Sequence, residues 1–133
     1  MDFRLPAEGD LQRCIQAYLS ECYQRRSPPR IGELANRLRL HPAVVRRRMQ
    51  RLLGMGASRF LKLSQLRFAC ALLGDSSLAI AEIAGYAAFG SRRSFLRAFQ
   101  RELKQTPNAY RRSTKMSLDS IPEATDLSSS QNR

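Results

Sequence analysis

The chain has few of the residues on which metal binding and redox chemistry usually depend. Its 133 residues include one histidine, three cysteines and no tryptophan. Cys14, Cys22 and Cys70 form no CxxC pair, and together with His41 their spacing matches no zinc-ligand motif. The thiols are therefore expected to be reduced side chains packed in or near helices, and neither a metal nor a cofactor is expected.

Long apolar segments and paired carboxylates are also missing. The first seven residues contain Asp2, Arg4 and Pro6, which is unlike a signal peptide, and no apolar run approaches the roughly 20 residues of a transmembrane helix. The sequence has no glycine-rich phosphate loop, and the four acids of residues 31–112 are scattered. These absences predict a soluble, cytoplasmic protein that has no membrane partner and is not an enzyme.

Positive charge is abundant and is confined to one part of the chain. The formal net charge is +12, from 23 Lys and Arg against 11 Asp and Glu. Residues 31–112 contain sixteen of the cations and four of the acids, so they carry the whole excess. Such a density of charge attracts polyanions, and on its own it suits DNA, RNA or an anionic membrane.

One short pattern occurs twice, about fifty residues apart, and each copy leads into an arginine-rich helix. The first copy contains Leu34, Ala35, Leu38, Leu40, Val45, Arg47 and Met49, and the second contains Ile83, Ala84, Ala87, Phe89, Phe95, Arg97 and Phe99. The small Ala allows two helices to cross closely, and the apolar positions seat the second helix. Two helix-turn-helix units need this arrangement, so the repeat points to DNA.

Apolar residues recur at helical spacing along most of the chain, and strand-like alternation is absent. The spacing predicts helices over 8–25, 31–38, 42–53, 57–73, 78–86, 92–103 and 107–112. The predicted fold class is all-α, with about seven helices that form two helix-turn-helix subdomains joined by a long linker helix. Seventeen residues in the linker helix span roughly 25 Å, and with a helix width at the ends the distance approaches one turn of B-DNA, about 34 Å.

The same patterns divide the chain into five segments. These are an N-terminal helix and Pro-containing linker (1–30), a first helix-turn-helix (31–56), a linker helix (57–75), a second helix-turn-helix with a closing helix (76–112), and a Ser-rich tail predicted to be disordered (113–133). Asp75, Ser76 and Ser77 offer N-cap oxygens to the helix that follows them, and Ser91 is the predicted N-cap of the helix over 92–103.

Residues 31–112 resemble the DNA-binding domain of the AraC/XylS family of bacterial transcription regulators. In the second half the resemblance rests on Ile83-Ala84, Phe89, Phe95-Leu96-Arg97-Ala98-Phe99 and Thr106-Pro107-Asn108-Ala109-Tyr110-Arg111. In the first half it rests on Leu34-Ala35, Val45, Arg47, Met49, Gly54-Met55, Phe60-Leu61, Leu66, Ala69 and Leu72-Leu73. Order and spacing hold throughout.

The chain departs from the family pattern at several positions. Ala88 stands where the family commonly has Gly, and a β-carbon there is expected to alter the second turn. Gln65 replaces a frequent Arg, Met49 replaces an aromatic residue, and Leu103-Lys104-Gln105 replaces a closing Phe-Gly. Family members usually carry a further ligand-binding or dimerisation domain, so the chain is similar either to the short stand-alone members or to an excised domain.

The resemblance implies roles for individual residues. Those expected to face DNA bases are Ala43, Arg46 and Arg47 in the first recognition helix and Arg92, Arg93, Leu96 and Arg97 in the second. Those expected to contact phosphates are His41, Arg48, Arg51, Ser91, Arg101 and Lys104. An Arg fork matches guanine O6 and N7, while Leu96 offers only apolar contact, for example with a thymine methyl. His41 is also expected to cap the helix that begins at Pro42.

The implied function is a sequence-specific transcription regulator that inserts two recognition helices into successive major-groove segments. The implied partners are double-stranded DNA, bound by a monomer, and RNA polymerase, contacted by an activator; the implied location is the bacterial cytoplasm, at the nucleoid. Two other functions remain open: an architectural nucleic-acid binder that does not read sequence, and a protein-interaction module that acts on another regulator through the helix over 8–25. The sequence does not identify the operator or the inducing signal.

Overall fold

The computed structural model describes residues 8–118, and it describes side chains from residue 9 to residue 114. This part of the chain consists of seven helices and contains no strand. The helices are α1 (Glu8–Arg25), α2 (Ile31–Leu38), α3 (Pro42–Leu53), α4 (Ala57–Asp75), α5 (Ile80–Tyr86), α6 (Arg92–Leu103) and α7 (Pro107–Leu118). The all-α class is thereby confirmed, with α2–α3 and α5–α6 as two helix-turn-helix subdomains and α4 as the linker helix.

The bounds of α1, α2, α3 and α6 agree with the predicted ones, whereas those of α4 and α5 are shifted by two residues. Gly74 and Asp75 continue α4, because Ser76 ends the helix through bonds to Leu72 O from its backbone N–H (3.1 Å) and its hydroxyl (2.6 Å). The prediction that 75–77 cap α5 is therefore wrong. The N-cap of α5 is Ala79, whose N–H donates to the Glu82 carboxylate at 3.0 Å.

The closing helix is also longer than predicted. The sequence placed its end at Arg112, but α7 continues to Leu118, so the first six residues of the predicted tail are helical. Packing against α4 explains the extension: Arg111 donates to Leu73 O (3.1 Å) and Leu78 O (2.8 Å), and Thr114 lies beside Gly74. The rest of the predicted tail, 119–133, lies outside the described residues.

Two apolar cores share α4, one at each half of the helix. The first contains the buried residues Leu11, Ile15, Tyr18, Leu19, Cys22, Ile31, Leu34, Ala35, Val45, Met49, Ala57, Leu61 and Ala88. The second contains Leu66, Ala69, Leu73, Ile83, Ala84, Ala87, Phe89, Phe95, Ala98 and Phe99. The linker helix therefore contributes its first half to one core and its second half to the other.

Aromatic rings form the centre of the second core. Phe95 lies between Phe89 and Phe99, with ring centroids 5.2 and 5.6 Å away, and Phe99 meets Tyr110 edge-on at 5.8 Å. Phe95 and Phe99 are fully buried. These phenylalanines are therefore core residues, and Tyr110 packs α7 against them.

The turn between α5 and α6 joins the two halves of the molecule. Ala88 adopts a left-handed backbone, with φ of 64°, and its methyl group is fully buried in the first core. Gln65 of α4 is buried and donates from Nε2 to Ala87 O (3.2 Å) and Ala88 O (3.0 Å). From the other side, the Arg26 guanidinium lies 4.1 Å from the Tyr86 ring centroid. These contacts fix the second helix-turn-helix relative to the first.

Candidate nucleic-acid interface

The first recognition helix, α3, begins with a side-chain cap and ends at a glycine. His41 occupies the N-cap position, and its Nδ1 accepts the Ala43 N–H at 3.1 Å, which confirms the predicted cap. Pro42 follows at the first helical position, where its missing N–H costs no hydrogen bond. Gly54 ends the helix with φ of 74°. The cap, the proline and the glycine together set the length of α3.

The two faces of α3 have opposite character. Val45 and Met49 are fully buried in the first core. The base-contact candidates of this helix, Ala43, Arg46 and Arg47, are all solvent-exposed. Burial of the apolar stripe therefore turns the predicted base-contacting side outward, which is the orientation that groove binding needs.

The second recognition helix, α6, is built in the same way. Ser91 is its N-cap and accepts the Ser94 N–H at 3.1 Å, as predicted. Phe95, Ala98 and Phe99 are buried, whereas Arg92, Arg93 and Arg97 are exposed and Leu96 is half-buried. Leu96 and the buried Pro107 form the apolar part of a shallow groove beside the exposed edge of α6.

The six predicted phosphate-contact residues differ in their surroundings. His41, Arg51, Ser91, Arg101 and Lys104 are exposed, whereas Arg48 is half-buried and its Nη1 atom is buried. Arg101 contacts Glu102 (3.4 Å), and Glu102 also pairs with Arg59 of α4 (3.3 Å). Desolvation raises the pKa of Glu102, but the hydrogen bonds and charges of Arg59 and Arg101 outweigh it and lower that pKa overall.

Four residues have roles here that the sequence did not predict. Lys62 of α4 is half-buried against the Phe89 ring, and burial together with the Arg101 charge lowers its pKa. Gln65 and Arg111 hold backbone carbonyls of neighbouring segments. Tyr18 accepts the Arg30 N–H at 2.7 Å and donates to Glu33 at 2.5 Å, which attaches the start of α2 to α1. One sequence signal was present, since Gln65 interrupts the apolar spacing of α4.

Within the described residues, no helix combines the length and apolarity required to cross a bilayer. Over the same part of the chain, His, Cys, Asp and Glu side chains form no group of three that could hold a metal ion.

Comparison with known proteins gives a consistent picture. A family model described as a helix-turn-helix domain matches residues 34–113. No curated protein sequence matches the chain. The DNA-binding domain of AdpA, a global transcriptional factor solved in complex with a target DNA, has a TM-score of 0.74 and 23% identity, over 84% of this chain and 97% of that one.

Two other solved structures share the fold. The C-terminal domain of AraT, a response regulator from Geobacillus stearothermophilus, has a TM-score of 0.72 and 26% identity, over 92% of this chain and 94% of that one. A DNA-binding transcriptional dual regulator from Escherichia coli K-12 has a TM-score of 0.64 and 16% identity, over 84% and 95%. By its family match and its fold, the chain belongs to the AraC-type helix-turn-helix family of DNA-binding transcription regulators, which are not enzymes.

Proposed function

We propose that the chain binds double-stranded DNA as a monomer and reads its sequence with α3 and α6, each in its own major-groove segment. The observation that carries this proposal is the pair of exposed arginine faces on two helices that α4 holds together. The 19 residues of α4 span about 28 Å at 1.5 Å per residue. With the width of a helix, this span is comparable to the roughly 34 Å that separate successive groove segments on one side of B-DNA.

Base reading is assigned to the exposed residues at the start of each recognition helix. Arg46, Arg47, Arg92 and Arg93 carry planar forks that match guanine, and no carboxylate lies on α3 to neutralise its arginines. Arg97 is assigned to base or backbone contact. Ala43 and Leu96 offer apolar contact with a thymine methyl, and the apolar groove beside Leu96 supports its role.

Phosphate contacts are assigned to the residues at the flanks. His41 and Ser91 stand at the two helix N-termini, where backbone N–H groups favour an anion. Arg51, Arg101 and Lys104 lie toward the C-terminal ends of their helices. Arg48 is assigned the same role, with less of its side chain open to solvent.

Transcriptional activation through RNA polymerase, in the bacterial cytoplasm, is the biological role that we propose. Family membership supports this role, and the fold shared with the AdpA domain bound to its target DNA supports the DNA-binding step. In vitro transcription from a promoter that carries a DNA site bound by the protein tests whether the protein activates. A rise in transcript yield would support activation, and a fall would indicate repression.

Selection of binding sites from a random duplex pool at about 0.15 M salt, where nonspecific attraction is weakened, tests the DNA-reading proposal. An asymmetric motif with two blocks about 10–11 base pairs apart is expected. Tight, salt-sensitive binding without any motif would indicate an architectural protein. A protein that binds no DNA but inhibits another regulator would indicate an interaction module.

A further inference from the structure

A polar cavity of about 310 Å³ lies at the junction of α2, α3 and α4. The polar residues and the glycine that line it are Arg30, Gly32, Arg46, Ser58, Lys62 and Gln65. Three of them are cations, and none of the residues lining the cavity is a carboxylate. No ion pair to Arg30, Arg46 or Lys62 is found among residues 9–114, so this junction cavity is a concentrated positive site.

The backbone at the start of α2 adds hydrogen-bond donors to the same cavity. Arg30 is the N-cap of α2, but its side chain makes no capping hydrogen bond. Its own N–H is used by Tyr18, whereas the N–H groups of the first turn have no side-chain cap. A Cβ at Gly32 would meet nothing within 4 Å, so the cavity is open at that residue. Glu33, the acid of this turn, is engaged by Tyr18 and Arg25, and uncapped N–H groups at a helix start favour an anion.

Lys62 is the least exposed of the three cations that line the cavity. Its side chain is half-buried, with Nζ 5.4 Å from the Phe89 ring centroid. Burial and the positive charge of Arg101 both lower the pKa of Lys62, so its ammonium group lacks a compensating anion in the folded chain. A bound anion would oppose both effects, because its negative charge stabilises the charged ammonium group.

The location of the cavity relates it to both recognition helices. Arg46 of α3 lines it, Lys62 is within electrostatic range of Arg101 on α6, and Gln65 in its wall holds the turn that precedes α6. When two helices occupy successive major-groove segments, the intervening phosphate backbone passes between them. The junction cavity thus lies where a phosphodiester is expected.

We infer that the junction cavity binds one phosphate group of the DNA backbone between the two major-groove segments, through Lys62, Arg30, Ser58 and the first turn of α2. The inference rests on the proposed function, because it requires duplex DNA across both recognition helices. The contact carries no sequence information and positions the protein on the duplex. A free phosphate ion has the same chemistry, so the experiment separates the two sources.

The first test compares Lys62→Gln with Arg67→Gln. Arg67 is an exposed cation on the same helix, outside the cavity, and serves as the matched control. Loss of one phosphate contact is expected to reduce by about 0.9 the steepness with which the logarithm of the DNA association constant falls with the logarithm of salt concentration. The ratio of wild-type to Lys62→Gln affinity should therefore shrink about 3.5-fold between 50 and 200 mM salt. The deficit should be equal for selected and scrambled duplexes, and Arg67→Gln should match the wild type. A wild-type slope for Lys62→Gln would overturn the inference.

The second test separates binding from folding at Gly32. Gly32→Asp and Gly32→Asn both fit the open space, but only Asp places a negative charge in the cavity. Because a carboxylate in the first turn favours the helix, Gly32→Asp should be at least as stable to heat as Gly32→Asn. Its affinity for all duplexes should nevertheless be lower. Equal DNA affinities for the two variants would contradict a phosphate in the cavity.

Titration with inorganic phosphate completes the design. Wild-type protein without DNA is expected to show only weak phosphate binding, and Lys62→Gln still less. Saturation at low phosphate concentration, together with an unchanged salt slope in Lys62→Gln, would assign the cavity to a free anion and overturn the inference. Sequence-specific binding by the wild type with no effect of Lys62→Gln would refute this contact and leave the proposed function intact. Failure of the wild type to bind any duplex would refute both.

Discussion

Replacement of Gln65 by Leu tests the junction between the two subdomains. Gln65 is 2% exposed, and its Nε2 donates to Ala87 O at 3.2 Å and Ala88 O at 3.0 Å. Leu has a similar volume but no donor, so the substitution deletes both hydrogen bonds while it keeps the packing. Each lost bond to a buried carbonyl costs about 1–3 kcal/mol, so the loss of two should lower the free energy of unfolding by about 2–6 kcal/mol.

A second variant at the same position tests whether a hydrogen-bond donor is required there. Gln65→Glu replaces the donor by a carboxylate that faces two carbonyl oxygens, so at neutral pH it should destabilise more than Leu. Burial raises the pKa of the introduced carboxyl above its unfolded value of about 4.3. As the pH falls through the raised folded pKa, the acid becomes protonated and donates again. The loss of unfolding free energy caused by Gln65→Glu should therefore shrink towards low pH.

Urea unfolding followed by circular dichroism measures these effects, at neutral pH and near pH 4. Ser64→Ala is the matched control, because Ser64 is the neighbouring, half-exposed residue outside the junction, and its effect should stay within about 0.5 kcal/mol. A loss below about 0.5 kcal/mol for Gln65→Leu, or a Glu variant no worse than Leu at neutral pH, would refute the junction argument.

Three further perturbations have defined outcomes. Phe99→Ala removes a fully buried ring that contacts two other aromatic rings, and should cost about 3–5 kcal/mol; a wild-type thermal melt would mean that the core is misplaced. Arg46→Ala should relax preference at one base position, whereas Arg51→Ala should weaken all duplexes nearly alike, and identical selectivity profiles would contradict this division of roles. The hydrogen bonds and charge of Arg37 lower the pKa of Glu21. The pair therefore contributes stability above the unfolded pKa that is lost as pH falls through the folded one, and Arg37→Gln should differ from wild type in urea midpoint at neutral pH but not in acid.

The sequence predicted the helices and their faces because strong local signals mark them. Pro42 and Gly54 delimit α3, Ser91 begins α6, and buried apolar residues alternate with arginines at helical spacing. The prediction failed where tertiary contacts decide the outcome. Gly74 continues α4, although glycine usually ends helices. The helix α7 continues past Arg112 because Arg111 donates to the carbonyls of Leu73 and Leu78.

The site was predicted less completely than the fold. The outward position of Arg46 and Arg47 was expected from the family resemblance, but the neighbourhood of Lys62 was not. Its cavity depends on the meeting of α2, α3 and α4, whose relative placement is set by the packing of the first core. The left-handed backbone of Ala88 is another tertiary effect, since alanine disfavours that conformation by about 1–2 kcal/mol unless packing compensates for it.

The sharing of α4 and the return of Ala88 into the first core have a consequence for how the domain can evolve. The chain looks like two copies of one unit, yet Leu61 and Leu66, five residues apart on α4, belong to different cores. A chimera that joins half of this chain to half of a relative would therefore have a linker helix that fits only one of the cores. It would also lack the Ala88 methyl group that fills part of the first core. Only exchange of α4 together with the turn around Ala88 would keep both cores filled, so the two repeats form one packing unit.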